Sequence, residues 1–489
     1  NCAGAIGWNA VNLFFAPYLG ELTDREVTQL AQRMIYEFAQ QAVGRGGQTI
    51  FTDIHLFWDV PPYFAHVPAI GPGGEYTGRT YGAYEKDAQR FARALFDAYG
   101  KGDAAGRPFV FPRPLMHVTD GFFRTPGHEE FLRFVCGVAA EKGNPHFIFD
   151  RGSLLNMSEC GTLGMDGAEE AADAREPWKM RYFGIQNVSI NLPRLGDRAG
   201  GEDGRLFSMI DHVMALAAKA HLQKRDFMER LLSHGSEGPL SLLAMGYDGT
   251  PYLRMNRCSY LMGMIGLNEL VWAHTGRQLH ESETARGFGS DVVRYMKGVA
   301  EALTKEHGVR FILQQSPAES TPYRLARLDL KHFSPMAGHF VRGNIATGDI
   351  YYTNSTLLSV SASADHFERA AFEGAFHPFV EGNAETAIWM GSDKPDPNIL
   401  AAFIEKVFRE TENRHVVFSP AFTACLDCNT TSRGLTDTCP SCRSHNVEGI
   451  TRGAGYFSRI SDWNRGKLAE LRDRDRQGNS FGDLRERKK

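Results

Sequence analysis

The residues with the clearest chemistry are four cysteines late in the chain. Cys425-Leu426-Asp427-Cys428 and Cys439-Pro440-Ser441-Cys442 form two C-x-x-C pairs with ten residues between them. Each pair closes a tight turn that points two thiolates at one centre, and two such turns make a tetrahedral S4 site. Four-coordinate, thiolate-rich sites suit Zn2+, and with every position taken by Cys none is left for a substrate, so the metal is expected to be structural. Taken alone, the ribbon reads as a nucleic-acid or protein-docking module, or as redox pairs. Nine residues after Cys442 begins Thr451-Arg452-Gly453-Ala454-Gly455-Tyr456-Phe457-Ser458. An isolated R-x-x-G-Y segment is an ordinary surface turn, but its position directly behind a metal site adds weight. Glycine also has a chemistry of its own: without a side chain its α-carbon can become planar, and the flanking amide nitrogen and carbonyl can delocalise an unpaired electron.

The elements that must position these groups follow from periodicity. Residues 22–43 read as a helix capped by Thr23 or Asp24, with Val27, Leu30, Met34, Ile35 and Phe38 at helical spacing. It stops at the glycines of 44–47, and residues 48–54 have the β-branched and aromatic content of a buried strand. Residues 61–82 read as a long loop whose Ile70-Gly71-Pro72-Gly73-Gly74 offers backbone N–H groups to a phosphate, followed by a helix over 84–99. Further strands are expected at 109–111, 147–149, 188–192 and 311–313, and helices near 129–141, 206–232, 260–275 and 284–307. This alternation predicts an α/β domain whose strands deliver residues to one central site. Cys136 and Cys258 fall in apolar, helical surroundings and read as structural, and His117 as a core histidine. The Arg/Lys/Asp-rich stretch 465–489 reads as a solvated end or helix.

Composition narrows the class. With 42% hydrophobic and 23% charged residues the chain has the make-up of a globular protein. No apolar run reaches the length of a membrane span. A net charge of −4 over 489 residues supplies no basic field for polynucleotides, so metabolite-sized partners fit better and neither nucleic acid nor membrane is expected as a partner. The first residues carry neither an initiator Met nor a signal peptide, which reads as an N-terminally incomplete chain. Half of the eight cysteines are in the ribbon and the others are scattered, a poor disulfide framework that favours a reducing cytoplasm.

The order of four cysteines, glycine segment and Trp463-Asn464-Arg465-Gly466-Lys467 closely resembles the C-terminus of anaerobic (class III) ribonucleotide reductases, in the glycyl-radical enzyme family. The resemblance continues, in order, through Gly44-Arg45-Gly46-Gly47-Gln48, Pro68 to Gly74, Ser158-Glu159-Cys160, Ile190-Asn191-Leu192-Pro193-Arg194-Leu195, Gly266-Leu267-Asn268-Glu269, Pro317-Ala318-Glu319-Ser320 and Tyr352-Thr353-Asn354-Ser355. It implies a ten-stranded α/β barrel over residues 1–415, lacking its N-terminal part. A zinc segment over 416–447 and a glycyl-radical loop with C-terminal tail over 448–489 follow.

The same resemblance implies reduction of ribonucleoside triphosphates to 2′-deoxyribonucleotides. Gly455 would store the radical and Cys160 would pass it on as a thiyl. The chain departs from many relatives just after Cys160, with Gly161 and Thr162 where a second Cys and a basic residue are usual. Cys2 and Asn191 match the positions that assist formate as reductant, Glu319 is an acid/base candidate, and Ser320, Tyr352, Thr353, Asn354 and Ser355 are expected at the nucleotide. A radical-SAM activating enzyme would bring S-adenosylmethionine and an iron–sulfur cluster, and a homodimer is implied. Alternatives are a zinc-ribbon nucleic-acid or protein binding module, with Arg433, Arg443 and His445 as its cations, a glycyl-radical lyase, and a radical-dead nucleotide-binding relative.

Overall fold

A computed structural model describes residues 5–41, 49–157, 161–246, 249–333 and 336–474. Its largest sheet has six strands in the order Ala5–Trp8, Phe51–Phe57, Arg113–Val118, His146–Phe149, His415–Pro420 and Thr386–Gly391. The first four run parallel, the fourth meets the fifth antiparallel, and the last two are again parallel. Successive strand residues point to opposite faces, and the sequence uses this sharply. Ile54, Leu56, Met116, Val118, Phe147, Phe149, Val416 and Phe418 join the core beneath helices Asp24–Ala39, Glu85–Lys101, His128–Lys142 and Pro397–Glu410. Each fully buried side chain of this size contributes roughly 1.5–3 kcal/mol. At alternate positions of four of these strands stand Asp53, His55, Arg113, His117, His146 and His415, all buried and on the opposite face.

A second sheet has three parallel strands in the order Arg310–Gln315, Cys258–Ile265, Phe183–Asn191, packed beneath helices Asp203–Leu232, Leu267–Thr275 and Glu283–His307. Gly382 links the two sheets. Its N–H donates to the Leu313 carbonyl at 2.8 Å and its carbonyl accepts from Gln315 N–H at 2.9 Å, a few residues before the chain enters strand Thr386–Gly391. The expected α/β class is what is found. Among the described residues no helix is long and apolar enough to cross a membrane.

Several local expectations change. Residues 61–82 are not one loop: they contain a short helix, Pro62–Ala65, and an antiparallel hairpin of Pro68–Ile70 with Tyr76–Thr80. Gly73 and Gly74 stand at φ 78° and 79° in its turn, so these glycines serve a chain reversal. No strand forms at 109–111. Pro108 and Pro112 remove backbone donors there, Phe109 and Phe111 are buried as packing side chains, and the strand begins at Arg113. The helix expected over 260–275 begins only at Leu267, because Cys258–Ile265 is a central strand buried at all eight positions. Its continuous apolar run imitates a buried helix segment. Cys258 is therefore on a strand, whereas Cys136 lies buried in a helix as expected. The segment after 465 does form a helix, Arg465–Arg474, but Lys467, Glu470 and Arg474 are buried in it.

Candidate active site and metal centre

The C-terminal part forms a four-stranded antiparallel sheet in the order Thr431–Arg433, Phe422–Cys425, Val447–Arg452, Phe457–Arg459. At one end both C-x-x-C turns close in the same way. Cys425 N–H donates to Thr430 O at 2.9 Å and Cys439 N–H to Ser444 O at 2.8 Å. The residue after each second cysteine, Asn429 or Arg443, is left-handed at φ 60° or 64°. The four sulfurs lie within 4.8 Å of one another, with Cys425–Cys442 at 3.6 Å and Cys428–Cys439 at 3.7 Å. Thiolates about 2.3 Å from a tetrahedral ion stand about 3.8 Å apart, so the four residues fit Zn2+, and they are too far apart for disulfides. The sheet is anchored by Arg433, whose Nη1 donates to the last carbonyls of helix His128–Lys142, Ala140 O at 3.0 Å and Glu141 O at 3.3 Å. That cation is turned into the protein, away from any polynucleotide.

Strand Val447–Arg452 runs from the cysteines to the glycine segment, roughly 17 Å at about 3.4 Å per residue. Arg452 pairs with Phe457, which places Gly453-Ala454-Gly455-Tyr456 at the tip of a hairpin. Tyr456 is packed against Phe51 and Phe111, with ring centroids at 5.2 and 5.6 Å. Two buried guanidinium groups reach the Gly455 carbonyl: Arg452 Nη1 donates at 3.2 Å and Arg113 Nη1 at 3.4 Å. A Cβ on Gly455 would come within 2.9 Å of Arg113 Nη1, so the position admits only glycine unless the arginine moves.

Both arginines are held from behind. Asp53 grips Arg113 through two bonds of 2.6 and 2.7 Å. Arg452 donates to Gly143 O at 2.7 Å, Asn144 Oδ1 at 3.2 Å and His146 Nε2 at 3.2 Å, with its guanidinium 4.1 Å from the Phe457 ring centroid. Burial pulls the Arg452 guanidinium down to about 9, leaving it charged at neutral pH. Since arginine only donates, His146 Nε2 accepts and Nδ1 carries the proton, facing His415 Nε2 at 2.8 Å and Glu385 Oε2 at 3.4 Å. Glu385 Oε2 is also 3.4 Å from His415 Nε2. These three atoms have the spacing of a metal triad, but a cation there would displace the His146 proton and sit beside a buried guanidinium. The cluster is therefore better described as hydrogen-bonded, with Glu385 as counter-charge to Arg452. A second chain runs from Asp150 to His117 Nδ1 at 2.5 Å and from His117 Nε2 to His55 Nδ1 at 2.8 Å. Burial holds His55, His146 and His415 well below the ordinary imidazole range.

Helix Arg465–Arg474 closes the hairpin's other side. Arg474 Nη1 donates to Arg452 O at 2.9 Å, and its guanidinium lies 3.4 Å from the Trp389 ring centroid. Burial alone would raise the Glu470 carboxyl, but Lys467, at 2.7 Å, and Arg474 outweigh it and hold it at about 2.

Gly455 and Glu385 face a cavity of about 750 Å³, counting space open to solvent, whose wall also includes Gln315, Thr353, Asn354 and Asn383. Gln315 Nε2, Asn354 Oδ1 and Asn383 Oδ1 are buried with no hydrogen-bond partner among the described residues. Buried polar atoms are normally paired, so the wall is suited to a polar ligand.

The expected site residues are distributed unevenly about this cavity. Gly455, Thr353 and Asn354 line it. The Thr353 hydroxyl is already bonded to buried Glu269 at 2.7 Å, and Tyr352 OH donates to Asp329 at 2.9 Å. Asn191 ends its strand as expected, but its amide donates to Asp329 at 2.8 Å while its carbonyl oxygen caps helix Leu192–Ala199. Ser355 is buried and Ser320 exposed. Glu319 keeps Oε1 buried and unpartnered, and its backbone carbonyl accepts from Asn464 at 3.0 Å. Cys2 and Cys160 lie outside the described residues. The strands flanking residues 158–160 in sequence, Leu154–Met157 and Gly161–Gly164, pair antiparallel. Sequence reasoning missed Asp53, His55, Arg113, His146, Glu385 and His415. The available signal was a charged or imidazole residue on alternate positions of several otherwise apolar strands.

The family model of anaerobic ribonucleoside-triphosphate reductase matches residues 1–476. The enzyme of that name from Salmonella typhimurium is 27% identical over 400 residues, 75% of this chain and 53% of that protein. Its counterpart from Enterobacteria phage T4 is 22% identical over 292 residues, 56% of this chain and 45% of the phage protein. The chain thus spans about half the length of the curated relatives it matches. Among solved structures, an anaerobic ribonucleotide reductase superposes with TM-score 0.75 at 18% identity, over 98% of this chain and 73% of that one. The Thermotoga maritima anaerobic ribonucleotide reductase in complex with dATP and CTP superposes at 0.70 and 18%, over 97% and 74%. At that identity the likeness concerns the fold, and the family match over nearly the whole sequence carries the assignment: the chain belongs to the anaerobic ribonucleoside-triphosphate reductase family.

Proposed function

We propose that this chain is the catalytic part of an anaerobic ribonucleotide reductase in which Gly455 stores a radical, Cys160 relays it, and Zn2+ on Cys425, Cys428, Cys439 and Cys442 fixes the loop. The observation that carries this reading is the setting of Gly455: a hairpin tip where a side chain would press on the clamped Arg113, on the wall of a cavity with unpartnered polar groups. The family's name and the CTP bound to the Thermotoga maritima enzyme support ribonucleoside triphosphates as substrates.

Hydrogen-atom transfer from the Cys160 thiol to Gly455 leaves a thiyl, which removes the 3′-hydrogen of the ribose. The 2′-hydroxyl then leaves as water, with Glu319 moving the proton. Formate, held with help from Cys2 and Asn191, is oxidised to carbon dioxide and supplies two electrons, and hydrogen returns to C3′ from Cys160. Net, one ribonucleotide, one formate and one proton become one deoxyribonucleotide, carbon dioxide and water. Residues 352–355 and Ser320 shape the nucleotide end. The reading brings with it a radical-SAM activating enzyme, a homodimer and a cytoplasmic setting.

The test is anaerobic EPR of the full-length protein after treatment with its activating enzyme and S-adenosylmethionine, then brief exposure to air and mass spectrometry. A doublet lost in air, with backbone cleavage at Gly455, is the expected result. Competent activation with neither doublet nor cleavage would reject the proposal.

A further inference from the structure

We infer that Arg452 and Arg113 tune the radical centre electronically, as two cationic donors converging on the Gly455 carbonyl oxygen, rather than only shaping the loop around it. The inference rests on Gly455 being the radical residue. A glycine α-radical is stabilised because the amide nitrogen gives electron density and the carbonyl accepts it. A positive donor at the carbonyl oxygen favours the form in which that oxygen is negative and spin has moved from Cα toward nitrogen. Two such donors are present, at 3.2 and 3.4 Å, and both arginines are buried, so water screens them little.

Each guanidinium is fixed by groups that do not take part in that contact. Asp53 holds Arg113 by its Nε and Nη2, leaving Nη1 for the glycine. Gly143 O and Asn144 Oδ1 hold Nη2 of Arg452, and His146 Nε2 takes one hydrogen of Nη1, so that the second points at the glycine. Both contacts to Gly455 are longer than the roughly 2.7–2.9 Å of a strong charge-assisted bond, so they can shorten as negative charge gathers on the oxygen. Donors placed before the charge develops are the arrangement that stabilises it at least reorganisation cost. Asp53 is paired with Arg113 and Glu385 supplies negative charge near Arg452, while burial holds His55, His146 and His415 well below the ordinary imidazole range. Arg452 and Arg113 are thus positioning residues whose effect is carried through the backbone carbonyl.

The experiment compares activated full-length wild type with Arg452→Gln, Arg452→Lys and Arg113→Lys, by continuous-wave EPR of the α-proton doublet and by anaerobic decay of the signal. Loss of the cationic donor in Arg452→Gln, whose shorter side chain is neutral, should widen the doublet, because spin returns to Cα. It should also shorten the half-life about tenfold, the effect of losing one hydrogen bond to a charged group. Arg452→Lys should restore part of both. Wild type labelled with 15N-arginine supplies a readout independent of how the variants fold: pulsed EPR should reveal weak 15N couplings from guanidinium nitrogen close to the carbonyl. A wild-type radical without 15N coupling, or variants with an unchanged doublet and lifetime, would overturn the inference and leave the radical reading standing. Failure of competently activated wild type to form any radical would overturn both.

Discussion

The cysteine knuckle and the arginine–histidine cradle sit at opposite ends of one strand, Val447–Arg452, and are stabilised in contrasting ways. The knuckle gathers its ligands from within 18 residues of sequence, with Cys428 and Cys442 exposed and few apolar neighbours to hold them. A bound ion would supply the cohesion that packing does not, since metal binding to such a site is itself folding free energy. The cradle draws Asp53, Arg113, His146, Glu385, His415 and Arg452 from across the chain and buries nearly all of them. Its cohesion comes from the sheet, whose apolar face is covered by four helices. This glycine hairpin is thus tied to a locally determined module on one side and to the most non-local part of the fold on the other.

Four changes put that contrast to the test, beginning with the position where both halves meet. Gly455→Ala puts a methyl group 2.9 Å from Arg113 Nη1; complete loss of the EPR doublet and of air-induced cleavage is expected, with zinc content unchanged by elemental analysis. Retention of either radical signature would mean the radical lies elsewhere. Cys439→Ser should lower bound zinc from about one ion per chain to essentially none and reduce radical yield at least tenfold. Hydrogen exchange should rise over residues 422–459 but not over Phe51–Phe57 or Arg113–Val118. Equal loosening of both regions would show that the two are one cooperative unit.

Asp53→Asn acts on the other half. It removes the negative charge clamped to the buried Arg113 cation, and breaking a buried ion pair in this way costs about 3–5 kcal/mol. Urea unfolding should report that loss while zinc binding persists. The last effect is graded with pH. His55, His146 and His415 have folded pKa values depressed below the usual 6.5, so below that pH the unfolded chain binds more protons than the folded one. Stability is fully present above about pH 6.5 and is lost on acidification, with a slope of up to about 1.4 kcal/mol per pH unit per histidine. Urea midpoints between pH 8 and pH 5 measure it, and His415→Gln should flatten the slope. A slope unchanged by that substitution would exclude His415 from the linkage.

The same contrast explains what could be read in advance. The gathering of Cys425, Cys428, Cys439 and Cys442 was legible because it is written in local spacing, whereas Gly455 was singled out by the resemblance and not by spacing. The α/β class was legible from alternating helical and extended stretches. The helix over Glu283–His307 and the one over His128–Lys142 were found to within a residue or two. The strand Cys258–Ile265 was read as helix because burial on both faces erases the two-residue period. His117 was read as an ordinary core histidine, since nothing local reveals that Asp150 and His55 stand on either side of it. Asn191 was placed correctly at a strand end, but the Asp329 that occupies its amide lies 138 residues away.

Strand order in the large sheet has a consequence for biosynthesis. A growing chain acquires Asp53, Arg113 and His146 first, and the strands Thr386–Gly391 and His415–Pro420 and the hairpin bearing Arg452 follow well after them. Contacts so distant in sequence form slowly. Until they do, the polar face of the first four strands lacks Glu385, Arg452 and the glycine hairpin. The glycine hairpin is thus received by a seat whose strands were made before it, and Gly455 meets Arg113 only once segments 342 residues apart have come together.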